Sequence, residues 1–171
     1  IAHQDDKYNP SYVENLMAYT KNAKRPLIFF TDYAEIRDGN IVESNKLLRI
    51  KRIMLFILRP KSMWGSRFAR RRVLSMGSPI CCPSITYYKP NLMEPVFLNG
   101  FRSNEDWEAE ERISQLDGEF IFCNKILTYH RIHEDSETSK IIHDSKRSEE
   151  DYAMYRKFWP SGIARILTKL Y

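Results

Sequence analysis

The stretch Ser103-Asn104-Glu105-Asp106-Trp107 is the part of the sequence around which the rest of the chain is organised. Serine is common just before a helix, and an acidic residue three places later completes a capping box. The stretch therefore predicts a helix capped by Ser103, with Asp106 in its first turn. The helix is expected to run to about residue 116 and to turn one apolar face toward the core: Ala109, Ile113 and Leu116.

Asp106 begins this apolar face, so it is expected at the mouth of the helix and turned toward the body of the protein. The helix dipole and the free backbone amides keep a carboxylate there ionised, and an ionised carboxylate facing a cleft can accept a proton. Two interpretations follow: a residue that only caps the helix, and a general base. The other acidic residues of the helix are expected to face water: Glu108, Glu110 and Glu111.

Composition indicates an ordered globular protein. The chain has 171 residues, of which 43% are hydrophobic and 6 are glycine, so a single domain spanning residues 1–171 is expected. The net charge is +5, and basic residues concentrate between Arg49 and Arg72. Such a patch suits phosphates, an anionic membrane surface or nucleic acid. Nucleic acid is the weakest of these candidates and is not expected as a partner, because no nucleic-acid-binding motif is present.

Three cysteines, Cys81, Cys82 and Cys123, match neither a disulfide framework nor a zinc-site spacing. They predict small buried residues in a reducing compartment, which indicates a cytoplasmic location. The basic patch adds contact with the inner face of the cell membrane as an expectation. No apolar run reaches the length of a membrane span. The opening Ile1-Ala2-His3 has the pattern of a strand's last residues, so the chain is expected to be part of a longer protein.

Two neighbouring carboxylates, Asp5 and Asp6, follow this opening strand. The C-terminal ends of strands are where open α/β sheets place their ligands, and clustered oxygen ligands suit Mg²⁺ or Mn²⁺. A solvated turn is the alternative interpretation. A helix is expected to begin at Asn9-Pro10 and to bury one side: Val13, Leu16 and Met17.

Several further segments have the pattern of strands. Residues 26–30 predict a buried strand that continues, half-exposed, to Arg37 and a hairpin at Asp38-Gly39-Asn40. On this strand Asp32 and Glu35 face either a cleft or the surface. Further strands are expected at residues 81–88, 95–98 and 118–130.

Two basic segments, residues 45–59 and 61–76, show helical periodicity, and the second contains Arg70-Arg71-Arg72. They fit either amphipathic helices on an anionic membrane or helices over an ordinary core. C-terminal helices are expected over about residues 146–171, broken at Pro160. Near the end of the sheet, His130 and His133 lack the spacing of a zinc protease.

In their order, these segments resemble the C-terminal part of a bacterial family-2 glycosyltransferase of GT-A fold. The resemblance covers nearly the whole chain, and the order of the motifs is more specific than any one of them. The matching segments are His3-Gln4-Asp5-Asp6, Phe30-Thr31-Asp32-Tyr33 with Glu35-Ile36-Arg37, Ser78 to Ser84, Ser103 to Trp107, Tyr129 to Ser136 and Glu149 to Pro160.

The resemblance implies an α/β fold, in which a mixed sheet is flanked by helices and the N-terminal nucleotide-binding βαβ units are absent. It implies that Asp106 is the general base and that Mg²⁺ or Mn²⁺ is held by Asp5 and His133. His3 stands where the family has the first Asp of its Asp-x-Asp motif, so Asp5 is expected to be the principal metal ligand. The implied residues for the donor diphosphate and substrate are Asp5, Asp6, Glu105, Trp107 and Arg131.

The implied activity is that of an inverting, membrane-associated glycosyltransferase in cell-surface polysaccharide synthesis. It would move a sugar from a nucleotide-sugar donor to a glycan or a lipid-linked acceptor. The 171-residue chain by itself is expected to be incomplete for this reaction, and the exposed edge of its sheet is expected to favour homo-oligomers. The alternative is a non-catalytic binding module whose basic helical face contacts an anionic membrane or a partner protein.

Overall fold

The computed structural model describes residues 5–132 and 145–170, and these residues form a mixed sheet flanked by helices. The strands are β1 (Lys7–Tyr8), β2 (Pro26–Arg37), β3 (Asn40–Val42), β4 (Ile85–Tyr87) and β5 (Glu119–Ile132). The helices are α1 (Tyr12–Thr20), α2 (Lys46–Met54), α3 (Arg67–Leu74), α4 (Glu105–Ser114), α5 (Ser145–Arg156) and α6 (Ser161–Leu170). The predicted α/β class and the C-terminal helices are therefore confirmed.

Strand β2 lies at the centre of the sheet. It pairs in parallel with β5 along its length, and in antiparallel fashion with β3 and β4. The expected half-exposed stretch before Arg37 is wrong, because neighbours on both faces bury every residue from Leu27 to Ile36. Asp32 and Glu35 are buried as well and are paired with cations, Asp32 with Arg52 at 2.7 Å. The hairpin after Arg37 is confirmed.

The core has a cluster on each face of the sheet. On one face Phe30 stacks on Phe122 with ring centroids 4.8 Å apart, beneath residues from α3, α4, α5 and α6. On the other face Phe29 packs with Tyr12 of α1 and with Trp64. The C-terminal helices therefore belong to the main core.

Helix α1 turns a different side to the core from the one expected. Tyr12 is its buried residue and Leu16 is half-buried, whereas Val13 and Met17 are 63% and 65% exposed. The hydroxyl of Tyr12 donates to the Ser84 carbonyl at 2.9 Å. The prediction for Val13 and Met17 is wrong because an aromatic side chain with a polar end anchors this helix.

Two predicted strands are shorter or missing. Residues 82–84 form a 3₁₀ turn, so the strand expected from residue 81 begins only at Ile85. No strand is formed at residues 95–98. The Val96 carbonyl there accepts a hydrogen bond from Arg112 Nη2 at 2.6 Å, so a side chain takes the place of a neighbouring strand.

Gly118 allows the chain to pass from α4 into β5. Its φ of +141° is one that other residues rarely adopt, and a Cβ there would lie 2.6 Å from both the Arg25 carbonyl oxygen and Leu27 Cγ. Within residues 5–132 and 145–170, no helix is long and apolar enough to cross a membrane.

Candidate active site

The head of α4 is held by another helix. Its N-cap is Asn104, whose side chain makes no capping bond, so the expected cap by Ser103 is wrong. Glu150 of α5 accepts hydrogen bonds from the backbone N–H groups of Arg102 and Ser103, both at 2.8 Å. Asn104 Nδ2 donates to Asp151 Oδ1 at 2.8 Å. Two carboxylates distant in sequence thus fix the start of this helix.

Asp106 lies in the first turn of α4 and is half-buried. Burial raises the pKa of its carboxyl group, against the opposing effects of the Trp107 N–H, which donates to Oδ1 at 2.7 Å, and of the Lys51 charge. A carboxylate with a raised pKa is better matched to proton transfer near neutral pH than an ordinary aspartate. Burial thus opposes the expected effect of the helix dipole on this group, and the assignment of Asp106 as general base stays a prediction.

The neighbours of Asp106 in the sequence motif have different environments. Glu105 is exposed at the first position of the helix. Trp107 is fully buried, with its indole N–H donating to the Leu74 carbonyl at 3.0 Å and its ring edge-on to Tyr155. Trp107 is thus placed to position Asp106 rather than to contact a ligand, whereas Glu105 is open to one.

The expectation that the other glutamates of α4 face water is wrong. Glu108, Glu110 and Glu111 are 5%, 0% and 2% exposed, because α3 and the end of α5 enclose the helix. Arg112 and Lys157 pair with Glu108, at 2.9 and 3.1 Å. Arg71 and the same lysine pair with Glu111, at 2.5 and 3.3 Å. These two glutamates are therefore structural.

Glu110 has no such partners. Neither of its carboxylate oxygens is hydrogen-bonded within the part of the chain that the structure describes, and the same is true of the Tyr87 hydroxyl. Burial raises the pKa of Glu110 well above its ordinary value; the charge of Asp106, one turn away, adds to this, and that of Lys51 opposes it. Burial and the Glu110 charge raise the pKa of Tyr87. Burial and the charge of Asp106 therefore both favour the protonated form of Glu110.

The early acidic pair is joined to the end of β5. Asp6 Oδ1 accepts a hydrogen bond from the Arg131 N–H at 2.8 Å and lies 3.0 Å from His130 Nδ1. The Asp5 carbonyl accepts one from Arg131 Nε at 3.0 Å. Asp6 Oδ2 is buried without a hydrogen-bond partner among residues 5–132 and 145–170. His133 lies outside the described residues.

The adjacent thiols of Cys81 and Cys82 feel charges from both parts of the candidate site. Burial raises the pKa of both thiols, that of Cys82 to about 12, and the charges of Asp6 and Asp106 each add to the effect. Both carboxylates therefore act on the same two adjacent thiols, of which Cys81 is buried and Cys82 is half-buried. Lys51 of α2 opposes the shift at Cys81 and supplies the positive charge of this region.

Sequence reasoning missed Lys51, Glu110, Tyr87 and Glu150. Glu110 could have been predicted, because it follows Asp106 by four residues and so shares its helical face. The other three come from α2, β4 and α5, and no local sequence pattern indicates that they lie near α4.

One atom of the candidate site has the character expected of a ligand to a divalent ion. The buried, unbonded Oδ2 of Asp6 is the kind of oxygen that Mg²⁺ or Mn²⁺ prefers. No cluster of three His, Cys, Asp or Glu residues suited to a metal occurs in the described ranges. Asp6 therefore fits as one metal ligand. Asp5 and His133 remain predictions as further ligands.

Comparison with known proteins gave no relative: no protein-family model matches the chain, and neither the curated proteins nor the solved structures contain a match.

Proposed function

We propose that this chain carries the catalytic carboxylate and the diphosphate-binding end of an inverting glycosyltransferase of GT-A fold. The donor would be a nucleotide sugar and the acceptor a glycan or a lipid-linked sugar. The observation that supports the proposal is that Asp106 and Asp6, from two distant parts of the chain, both act electrostatically on the adjacent thiols of Cys81 and Cys82.

In the proposed reaction Asp106 is the general base. The acceptor oxygen attacks the anomeric carbon as the bond from that carbon to the diphosphate oxygen breaks, and the hydroxyl proton passes to Asp106. The raised pKa of this carboxyl group supports the assignment. Glu110, one turn along the helix, has a pKa raised by burial and by the charge of Asp106, which opposes a second negative charge beside the base.

The other end of the site would receive the leaving diphosphate, whose negative charge grows as the bond breaks. Arg131 is fixed there by its bond to the Asp5 carbonyl, and a guanidinium stabilises phosphate charge. Asp6, with Asp5 and His133, would hold Mg²⁺ or Mn²⁺. A bound divalent ion would supply Lewis-acid stabilisation of the diphosphate. Glu105, exposed beside the base, is proposed to meet the substrate.

Asp106→Asn in the full natural protein tests this assignment. Loss of the base should lower sugar transfer by roughly 10²–10⁴-fold, while thermal stability changes little because the side chain keeps its shape. Asp117→Asn is the matched control: its side chain is 80% exposed and, among the described residues, pairs with Arg67, so transfer should be unchanged. Transfer at the wild-type rate by the Asp106 variant would reject the proposal.

A second candidate function, contact with an anionic membrane, is supported by the outer face of α2 and the turn after it. Four apolar side chains spaced three residues apart are exposed there: Leu47 at 51%, Ile50 at 46%, Ile53 at 74% and Phe56 at 64%. Exposed cations flank them at Lys46, Arg49, Arg59 and Lys61. No acidic residue occurs between Ser44 and Met93. Apolar side chains among cations suit the surface of an anionic bilayer.

A further inference from the structure

Strand β4 has one edge without a strand partner. Within residues 5–132 and 145–170 it pairs only with β2. The Tyr88 N–H donates to the Leu27 carbonyl, so the alternation of an antiparallel ladder turns the N–H and C=O of Tyr87 away from β2. The carbonyl of Ile85 points the same way, whereas its N–H is bonded to Cys82. One donor and two acceptors therefore line the outer edge.

A groove of about 810 Å³ runs along this edge; we call it the edge groove. One wall comes from α1, where the Tyr12 hydroxyl lies 3.0 Å from Thr86 Oγ1 and Val13 stands beside it. The opposite wall comes from Val96 and Phe97, the latter with its ring edge-on to Tyr87 at 5.6 Å. The walls thus rise from opposite faces of the sheet, and the groove is open where the next strand of the sheet would lie.

The residues that line the edge groove indicate the charge and polarity of the segment that it can bind. Apolar and aromatic side chains dominate both walls, and the charged lining residues are Lys89 and Glu94. These two pair with each other at 3.2 Å, so the lining presents no net charge. A strand buried on both faces is apolar on both faces rather than alternating. An uncharged segment with that pattern matches both the walls and the free backbone groups.

We propose that the edge groove binds an extended, apolar polypeptide segment that pairs with Tyr87 and adds a strand to the sheet beside β4. Pairing there continues the β2–β4 ladder outward and supplies the hydrogen bonds that an open sheet edge lacks. The proposal does not rest on the glycosyltransferase activity: of the residues described in the candidate active site, Tyr87 also lines the groove, and it would pair with the segment through its backbone.

The test uses the full chain and a fluorescein-labelled peptide of alternating valine and isoleucine, with lysine at each end for solubility. Anisotropy should report saturable binding, and hydrogen exchange should show protection of the Tyr87 amide. Val13→Asp buries a charge against the peptide and should weaken binding about tenfold. Met17→Asp is the matched control, because it lies on the same helix with 65% exposure against 63% for Val13 and does not line the groove.

A second peptide, N-methylated at alternate amides, keeps the apolar side chains but cannot form a ladder. Equal binding of the two peptides, or binding that Val13→Asp leaves unchanged, would overturn the proposal. Light scattering identifies a competing occupant: a dimer of the chain that dissociates with Val13→Asp but not with Met17→Asp would assign the groove to a second copy and would equally overturn it.

Discussion

At the scale of single residues, α4 shows that the hydrogen-bonding and charged partners of a buried carboxyl group determine the direction in which its pKa shifts. Glu108 and Glu110 lie two positions apart and are both nearly inaccessible. Burial by itself would raise the pKa of Glu108, but hydrogen bonds and charge from Arg112 and Lys157 lower it. Glu110 lacks such partners, and its pKa is raised. The two side chains should therefore affect stability in opposite ways.

Glu110→Gln should stabilise the protein at neutral and alkaline pH. With its pKa raised in the folded state, Glu110 favours folding below its unfolded pKa, and this contribution is lost as pH rises through the folded pKa. The glutamine variant has no such loss, so its advantage in free energy of unfolding should grow from pH 5 to pH 8. An advantage of about 1–3 kcal/mol at pH 8 is expected, measured by urea denaturation.

Glu108→Gln is the matched control with the opposite sign. A lowered pKa contributes stability above the unfolded pKa, and that contribution is lost as pH falls through the folded pKa. The variant should be about 1–3 kcal/mol less stable than wild type at pH 7, and the difference should shrink toward pH 4. Parallel pH profiles for the two variants would contradict the assigned partners.

Sequence could predict Asp106 and the apolar face behind it, because both follow from helical spacing within one segment. It could not predict the burial of Glu108, Glu110 and Glu111. A single helical pattern shows which residues share a face, but not how many faces the neighbouring elements will cover. Arg112 lies four residues from Glu108, but the other cations that make such burial tolerable, Arg71 and Lys157, lie tens of residues away.

At the scale of elements, β2, β5 and the C-terminal helices were predictable because long apolar or periodic runs specify them. The short strand expected at residues 95–98 was not, since four apolar residues fit a strand or a packed loop equally well. The head of α4 shows the same limit. Its sequence suggested a local cap, and a carboxylate from α5 provides the hydrogen-bond acceptor instead.

Glu150→Gln should loosen the head of α4. Removing the charge weakens the bonds from the Arg102 and Ser103 amides, so the free energy of unfolding should fall by about 1–2 kcal/mol and those amides should exchange faster. Glu149→Gln is the control, because Glu149 is exposed and its change should stay within about 0.5 kcal/mol. Equal effects of the two substitutions would show that Glu150 does not hold the helix.

At the scale of the whole molecule, the arrangement of strands joins residues that the sequence separates. Parallel pairing of β2 with β5 and antiparallel pairing of β1 with the end of β5 bring Asp6 to Arg131 and His130. The resemblance to a glycosyltransferase anticipated this approach, whereas periodicity and composition alone did not. The basic segment is also divided: the outer face of α2 is exposed among the described residues, whereas Arg70 and Arg71 of α3 bond to other parts of the fold.

Membrane contact through α2 belongs to this scale and is testable by flotation with vesicles containing phosphatidylglycerol. Ile53→Ser and Phe56→Ser should each weaken binding about tenfold, through the loss of buried apolar area. Ile41→Ser removes another exposed apolar residue, at 57% against 74% for Ile53 and 64% for Phe56, from β3 and should leave binding unchanged. Equal binding to pure phosphatidylcholine vesicles would contradict the part assigned to the cations.

The run Arg70-Arg71-Arg72 shows that part of the basic segment makes contacts within the fold. The Arg70 guanidinium is fully buried, donates to the Gly118 and Leu116 carbonyls and lies over the Phe120 ring, and burial lowers its pKa to about 10. Arg71 pairs with Glu111, and Arg72 covers Trp159. Replacing the three arginines with alanine is the usual way to look for a polyanion-binding motif. Here it would remove contacts that stabilise the tertiary structure. A loss of lipid or nucleic-acid retention in such a mutant would report misfolding instead of a missing contact.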